Sequence, residues 1–180
     1  MKGYKIAVGI DRENGPFPVM IELEIPDDAV VITPRDSIKV NIYSDVGSRI
    51  GVTKGTYSIQ KYRTDKVKVI NIIPADEFEV KKWNGKAYSL FILSDFYPNY
   101  CSKEVYSIGK EMETYLDRDN TLSCGRGFHF FKTKNDTLMF YEDVSSYWVS
   151  NIIHSLQRTW YNHIQTFYSP DYETLVELSR

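Results

Sequence analysis

The sequence predicts an α+β fold, in which a mostly antiparallel β-sheet fills the first three quarters of the chain and C-terminal helices pack on it. Three observations predict this class. Apolar and polar residues alternate in several runs before residue 131, which is the period of half-buried strands. After residue 146 the apolar residues recur every three or four positions, as on one face of a helix. Aromatic residues, which favour strands, make up 14% of the chain.

Strands are predicted in chain order from this alternation and from the turn residues that interrupt it. Residues 4–10 and 19–25 are predicted to pair as a hairpin around Asn14-Gly15-Pro16. The Asn84-Gly85 turn predicts a second hairpin. The remaining predicted strands are 30–32, 38–43, 57–60, 67–73, 78–83, 88–93, 105–108 and 128–131, of which 78–83 and 88–93 flank the second turn. The polar segments 45–55 and 110–120 are predicted loops, and 97–100 is a predicted turn.

Helices are predicted after residue 134. Asn135-Asp136 is expected to cap the first helix, and Ser169 to cap the last, with Pro170 in its first turn. Between them lies one apolar helical stripe: Val149, Ile152, Ile153, Leu156, Trp160 and Ile164. The chain is therefore divided into a β-rich domain, residues 1–147, and a helical C-terminal extension, residues 148–180.

Composition excludes several classes of protein. The net charge of -2 over 180 residues argues against a general nucleic-acid binder, which would carry a concentrated positive excess. No run approaches the roughly 20 apolar residues that a membrane span needs. The N-terminus lacks an apolar signal core, so a reducing cytosol is expected, with Cys101 and Cys124 as free thiols.

Residues 124–131, Cys-Gly-Arg-Gly-Phe-His-Phe-Phe, concentrate more chemistry than any other stretch. One interpretation is a tight turn that leads into a core strand. The other is a pocket, in which Arg126 supplies a cation, His129 lies opposite Phe128 and Phe130 on the more accessible face, and the amides around Gly125 and Gly127 point at an anion. Tyr106 and Lys110 join this ligand-binding site if the two segments meet in space.

Other candidate chemistry is weaker. Cys124 would be a nucleophile if His129 lowered its pKa, but an extended strand separates them. Neither the His spacing nor the Cys spacing is that of a metal site, so no metal is expected. Lys61, Arg63, Lys66 and Lys68, interleaved with Tyr62, form either a basic strip for a single nucleic-acid strand or simply a polar strand face.

Three segments together resemble an uncharacterised domain of large DNA viruses and bacteriophages that often precedes pentapeptide repeats. They are Ile25-Pro26-Asp27-Asp28-Ala29, Tyr106-Ser107-Ile108-Gly109-Lys110 and residues 124–131. The resemblance covers roughly residues 3–147, and this chain departs from it in ending with a helical tail instead of repeats. It implies a viral origin and action in the host cytoplasm, without naming an activity.

Gly127-Phe128-His129-Phe130-Phe131, followed by a helix that carries Tyr141, is also similar to a strand–helix unit of ADP-ribosyltransferases. That resemblance implies NAD as a cofactor, with His129 in place of the usual Tyr, Tyr141 stacking on nicotinamide and Glu142 as the catalytic candidate. The first motif of that family is absent. No cofactor is expected under any other interpretation.

The leading hypothesis is therefore a virus-encoded accessory protein that is not an enzyme and binds a host protein or a small anionic, nucleotide-like ligand. Its expected ligand-binding residues are Arg126, His129, Gly125, Gly127, Tyr106, Lys110 and Tyr141, and no catalytic residue is assigned. The alternatives are the NAD-dependent enzyme and a structural interaction module. Aromatic residues of the tail, such as Trp160, Tyr161 and Tyr172, are expected to pack on the sheet, with a homodimer contact through the C-terminal helices as an extension.

Overall fold

The computed structural model describes residues 1–43, 53–90, 104–142, 148–165 and 169–180. In these ranges the chain is a mixed α+β protein with antiparallel strand pairs and mainly C-terminal helices, which confirms the predicted class. The strands are β1 (Lys2–Asp11), β2 (Gly15–Glu24), β3 (Val31–Ile32), β4 (Ile38–Tyr43), β5 (Thr53–Ile59), β6 (Tyr62–Thr64), β7 (Lys66–Pro74), β8 (Ala87–Tyr88), β9 (Val105–Tyr106), β10 (Glu111–Glu113) and β11 (Phe128–Phe130). The helices are α1 (Lys134–Glu142), α2 (Trp148–Asn162) and α3 (Tyr172–Ser179).

The main sheet has the strand order β10-β7-β2-β1-β8-β9. At its centre β1 and β2 form the predicted hairpin, with Lys2 opposite Glu24 and Asp11 opposite Gly15. Gly15 has a φ of 85°, and a Cβ there would lie 2.5 Å from the Trp160 ring. The turn therefore needs glycine both for its backbone conformation and for the close approach of α2.

Each face of the main sheet is covered by a separate hydrophobic cluster. Ala7 of β1 and alternate residues of β2 share the first cluster with Phe128 and Phe130. Ile6, Val8 and Ile10, on the other face of β1, share the second cluster with apolar residues of α2 and with Leu175 of α3. Strand β1 is therefore buried on both sides, which its nearly continuous apolar run reflects.

The helical stripe of α2 is confirmed for all but its last member. Val149, Ile152, Ile153, Leu156 and Trp160 are buried. Ile164 is 56% exposed, because α2 ends at Asn162 and the next residue, His163, takes a left-handed φ of 55°. Trp160 and Tyr172 pack on the second cluster as predicted, whereas Tyr161 is 58% exposed. The homodimer contact and the domain boundary at residue 147 stay predictions.

Two smaller sheets complete the strands. One has the order β11-β6-β3, with His129 opposite Arg63 and Phe130 opposite Tyr62. Backbone hydrogen bonds of 2.8 Å in both directions between Phe131 and Tyr4 join this sheet to β1. The other is the β4–β5 hairpin, which packs with α1 around Phe131.

The predicted hairpin at Asn84-Gly85 is wrong. Residues 78–83 form no strand apart from a single bridge between Trp83 and Asp11, and β8 pairs instead with β1 and β9. The reason lies in the buried carboxylate of Asp11. Its Oδ2 accepts hydrogen bonds of 2.6 and 2.7 Å from the N–H groups of Lys81 and Lys82, so these amides are not available to a strand ladder.

Smaller corrections concern loops and caps. The predicted 110–120 loop contains an edge strand, β10, which pairs with β7. Thr133, and not Asn135-Asp136, caps α1, because its hydroxyl accepts the N–H of Asp136 at 3.0 Å. Asp171, and not Ser169, caps α3. The 97–100 turn, Cys101 and most of the 45–55 loop lie outside the described residues.

Candidate functional site

The 124–131 motif forms strand β11 and the end of the loop that precedes it. Phe128 and Phe130 point into the first cluster, as the core-strand interpretation predicted. Gly127 has a φ of 142°, and a Cβ there would lie 2.7 Å from Leu116 Cδ1 and 3.2 Å from the carbonyl oxygen of Thr64. Glycine is required here because the loop crosses directly over the small sheet.

Beneath this loop lies Arg63 of β6, which is fully buried. Its guanidinium donates three hydrogen bonds to backbone carbonyls: Nε to Asp117 at 2.9 Å, Nη1 to Leu122 at 2.6 Å and Nη2 to Asp119 at 2.6 Å. No carboxylate of the described residues lies within ion-pair distance of Arg63. A buried guanidinium is stable only where its donors are satisfied. The loop carbonyls therefore stabilise the buried charge of Arg63, and their hydrogen bonds to Arg63 in turn fix the position of the loop.

His129, on the neighbouring strand β11, makes a further hydrogen bond to the same loop. Its Nε2 is 2.7 Å from the carbonyl oxygen of Gly125. Since a carbonyl only accepts, Nε2 carries the proton. Nδ1 is buried and has no hydrogen-bond partner among the described residues. Burial, helped by the positive charges of Lys61 and Lys5, lowers the pKa of His129 to about 3, so the imidazole is neutral.

Arg63 and His129 together fix residues 114–127, which we call the anchored loop. Its base is closed by a hydrogen bond of 3.0 Å from the N–H of Asp117 to the carbonyl of Arg126, and by one of 2.7 Å from the N–H of Arg126 to Asp117 Oδ2. The carboxylate of Asp119 accepts from the hydroxyl and N–H of Thr121, which lowers its pKa. The acidic side chains of this loop are therefore bonded to its own backbone or hydroxyl groups.

Arg126 and His129 have different surroundings in the structure. Arg126 is exposed on the outside of the anchored loop, with its Cζ 5.9 Å from the centre of the Tyr115 ring, whereas His129 lies beneath the loop. Gly125 and Gly127 pack against the Arg63 side chain. Neither Arg126 nor His129 lines the hollow beside Tyr4 and Glu22 or the hollow on the outer side of α2. The geometry thus supports an anchor at this motif in preference to a pocket.

The other predicted site residues are spread over the molecule. Tyr106 is fully buried in the first cluster with Phe128 and Phe130, and its hydroxyl is 3.3 Å from Glu104 Oε2. Lys110 is exposed and donates to the carbonyl of Val105 at 3.0 Å. Tyr141 lies in α1 and packs on the second cluster instead. Only Tyr106 therefore shares a core with the motif.

The residues required by the NAD interpretation also have different contacts. The hydroxyl of Tyr141 is 3.4 Å from Asp76 Oδ2, and burial together with that carboxylate raises the pKa of Tyr141 to about 12. His129, the residue that would take the place of the family's Tyr, faces the carbonyl of Gly125. No observation favours this interpretation, and it stays an untested prediction.

Cys124 is a free, exposed thiol on the anchored loop. Its Sγ is 3.8 Å from Lys61 Nζ and 3.9 Å from the Ser123 hydroxyl. The imidazole of His129 donates to the carbonyl of Gly125 instead of reaching the thiol. The geometry gives Cys124 no base of the kind that the nucleophile hypothesis needs.

The basic strip that the sequence pointed to is broken at its centre. Arg63 faces inward, and Lys66 forms an ion pair of 2.8 Å with Asp28. Within the described ranges no three His, Cys, Asp or Glu side chains are grouped to hold a metal ion. None of the helices in those ranges is long and apolar enough to cross a membrane.

Sequence reasoning missed Arg63, which is the residue that organises this region. Because Lys61 and Lys66 are close to it in sequence, the pattern indicates a charged strand face that includes Arg63. Its role could not be predicted from local sequence, because its carbonyl partners lie 54 to 59 residues away. Comparisons with family models, curated proteins and solved structures gave no match to this chain.

Proposed function

We propose that this protein is a non-enzymatic binding module whose contact surface is the outside of the anchored loop, and that its partner is an acidic segment of another protein. This develops the leading hypothesis of an accessory protein that binds a host component. The resemblance to the viral domain makes a host protein in the cytoplasm the partner in this proposal.

The observation that carries the proposal is a firmly held loop that presents large apolar and aromatic side chains to solvent. Tyr115 is 66% exposed and Leu122 is 45% exposed. Loops with such side chains are ordinarily mobile, yet this one has three carbonyls bound to a buried guanidinium. Pre-ordering a loop reduces the entropy that binding would otherwise cost, which favours a recognition surface.

Charge identifies the kind of partner. The loop's carboxylates, Asp117 and Asp119, are hydrogen-bonded within the loop. In the described part of the chain neither Arg118 nor Arg126, both exposed, forms an ion pair. Lys61 adds a third cation at Cys124. The loop's two arginines offset its two aspartates, so the positive excess comes from Lys61 beside the loop and Arg63 beneath it. An acidic segment complements this local excess, although the whole chain has a net charge of -2.

The side-chain types fit a protein partner better than a small ligand. Tyrosine and arginine are over-represented among residues that dominate protein interfaces, and here Arg126 stacks near Tyr115. The loop projects large side chains into solvent, where a protein partner can contact them. An extended acidic peptide with one apolar side chain for Tyr115 and Leu122 suits such a surface.

The experiment is a fluorescence-anisotropy screen of synthetic peptides that combine Asp or Glu with Leu or Phe, at two salt concentrations. We expect salt-sensitive binding of a subset, weakened about tenfold or more by Arg126→Glu and by Tyr115→Ala. Both residues are exposed, so the free energy of unfolding should change by no more than about 0.5 kcal/mol.

Lys39→Glu is the matched control, because Lys39 is an exposed cation on β4, outside the anchored loop. It makes the same change in net charge as Arg126→Glu. Equal loss of affinity in the Lys39 and Arg126 variants would show attraction by net charge alone and would reject the loop as the contact surface. Affinity that survives both Arg126→Glu and Tyr115→Ala would reject it as well.

A further inference from the structure

A second surface feature is unrelated to the anchored loop. On the outer side of α2 lies an open hollow of about 210 Å³, lined by His154, Gln157, Arg158, Tyr161 and Asn162. It is larger than the hollow beside Tyr4 and Glu22, which measures about 30 Å³.

The lining of this hollow is chemically one-sided. Each of its five side chains carries an N–H or O–H donor, and the set includes no carboxylate. His154, Arg158 and Asn162 are spaced four residues apart, so they follow one another along one face of the helix. In the part of the chain that the structure describes, Arg158 takes part in no ion pair. Such a set of donors attracts an anion.

The other two side chains fix the hollow in place. Gln157 Nε2 donates to the carbonyl of Pro16 at 3.2 Å, and the Tyr161 hydroxyl donates to the carbonyl of Asn14. Between these contacts, Trp160 packs closely over Gly15. The wall of the hollow is therefore attached to the β1–β2 turn at three consecutive positions, while His154, Arg158 and Asn162 face solvent.

We propose that this hollow binds a small oxyanion of the phosphate type, either inorganic phosphate or the phosphate group of a small monoester. The planar guanidinium of Arg158 matches two oxygens of a phosphate, and His154 and Asn162 donate to the others. Pockets for drug-sized ligands usually measure about 300–1,000 Å³, so this one suits a phosphate group with only a small organic substituent.

The test is a titration of the full chain, labelled with ¹⁵N, followed by amide chemical shifts. The probes are sodium phosphate and glycerol 3-phosphate, with sodium chloride of equal ionic strength as the reference. We expect saturable shifts confined to residues 154–162 and the β1–β2 turn. Saturation by both probes indicates a site for the phosphate group itself, and saturation by glycerol 3-phosphate alone indicates a monoester site.

Matched variants locate the interaction. Arg158→Gln should weaken binding about tenfold or more, whereas Arg118→Gln, the same change on an exposed arginine of the anchored loop, should leave it unchanged. The proposal is overturned if neither probe gives saturable shifts or if Arg158→Gln has no effect. It is also overturned if light scattering shows a dimer and the shifts of residues 154–162 follow protein concentration instead of phosphate. Each result is independent of peptide binding at the anchored loop.

Discussion

Two regions of this protein use a buried charge of opposite sign to hold a loop. Asp11, at the end of β1, accepts four backbone N–H groups, from Glu13, Asn14, Lys81 and Lys82. Arg63, in β6, donates to three backbone carbonyls of the anchored loop. Both side chains are fully buried. A carboxylate accepts hydrogen bonds from N–H groups, and a guanidinium donates them to carbonyls. The sign of the buried charge therefore decides which backbone groups of the loop point inward.

The two anchors differ in how they respond to pH. Burial alone would raise the pKa of Asp11, but its four N–H donors outweigh burial and lower the pKa below 3.8. That anchor is lost when the carboxylate is finally protonated. A guanidinium keeps its charge throughout the accessible range. The comparison predicts that acid releases the Asp11 loop while Arg63 keeps its hydrogen bonds to the anchored loop.

The largest effect is expected for Arg63→Met, which keeps an elongated side chain but removes every donor. Three carbonyls lose their partner, and each unpaired buried group costs about 1–3 kcal/mol, so the free energy of unfolding should fall by at least about 3 kcal/mol. Urea unfolding measures this. Trypsin cleavage after Arg118 should also accelerate, because the loop is released.

Arg63→Lys is the control for that variant, since it keeps the charge but cannot reproduce the fork of donors. We expect it to fall between wild type and Arg63→Met in both measurements. Replacing a buried ion by an apolar residue is harmless in some proteins. Wild-type stability and wild-type resistance of Arg118 in the Arg63→Met protein would therefore show that the anchor is dispensable.

Asp11→Asn should cost less, about 2–3 kcal/mol at pH 7. The amide keeps one acceptor oxygen but turns an NH₂ group toward two of the four N–H donors. The lowered pKa of Asp11 means that its contribution is complete above about pH 3.8 and disappears as the pH falls through the folded-state pKa. Stability curves of wild type and variant should therefore converge below pH 4. Parallel curves down to pH 2 would contradict this.

The smallest effect concerns His129. Its folded-state pKa of about 3 lies below the ordinary 6.5, so the unfolded chain binds the proton more readily and stability falls as the pH drops from 6.5 toward 3. The loss cannot exceed about 1.4 kcal/mol per pH unit. In His129→Gln, whose amide can still donate to Gly125, the difference in stability between pH 7 and pH 5 should shrink by about 1–2 kcal/mol. An unchanged difference would mean that the folded protein does not lower the pKa of His129.

Local patterns predicted what local forces decide. Alternation located β2 and β4, and the helical period located α2, because burial of one face governs these elements. Apolar and β-branched runs located β1 and β7. The roles of Asp11 and Arg63 as anchors were not predicted. The sequence Asp-Arg-Glu-Asn-Gly is typical of an ordinary turn, and Lys61 and Arg63 are typical of a charged strand face. Their partners lie as far as 71 and 59 residues along the chain, where no periodicity reaches.

The same limit explains the candidate site. The sequence correctly put His129 on the strand face opposite Phe128 and Phe130, but it could not show that the anchored loop covers that face. It also identified Arg126 without indicating that Asp117 and Tyr115 would be its neighbours. The sequence indicated which residue types matter, but the direction in which each side chain points depends on a loop that is held by long-range contacts.

Strand β1 has a consequence for synthesis of the chain. Its outer face, with Ile6, Val8 and Ile10, is covered by α2 and α3, which are synthesised well after it because β1 ends at Asp11 and α2 begins only at Trp148. At a synthesis rate of about 5–20 residues per second, that apolar face stays exposed for on the order of ten seconds before the helices can pack on it. We therefore expect nascent chains that stall before α2 to be captured by chaperones or to aggregate, however well the first hairpin has already formed.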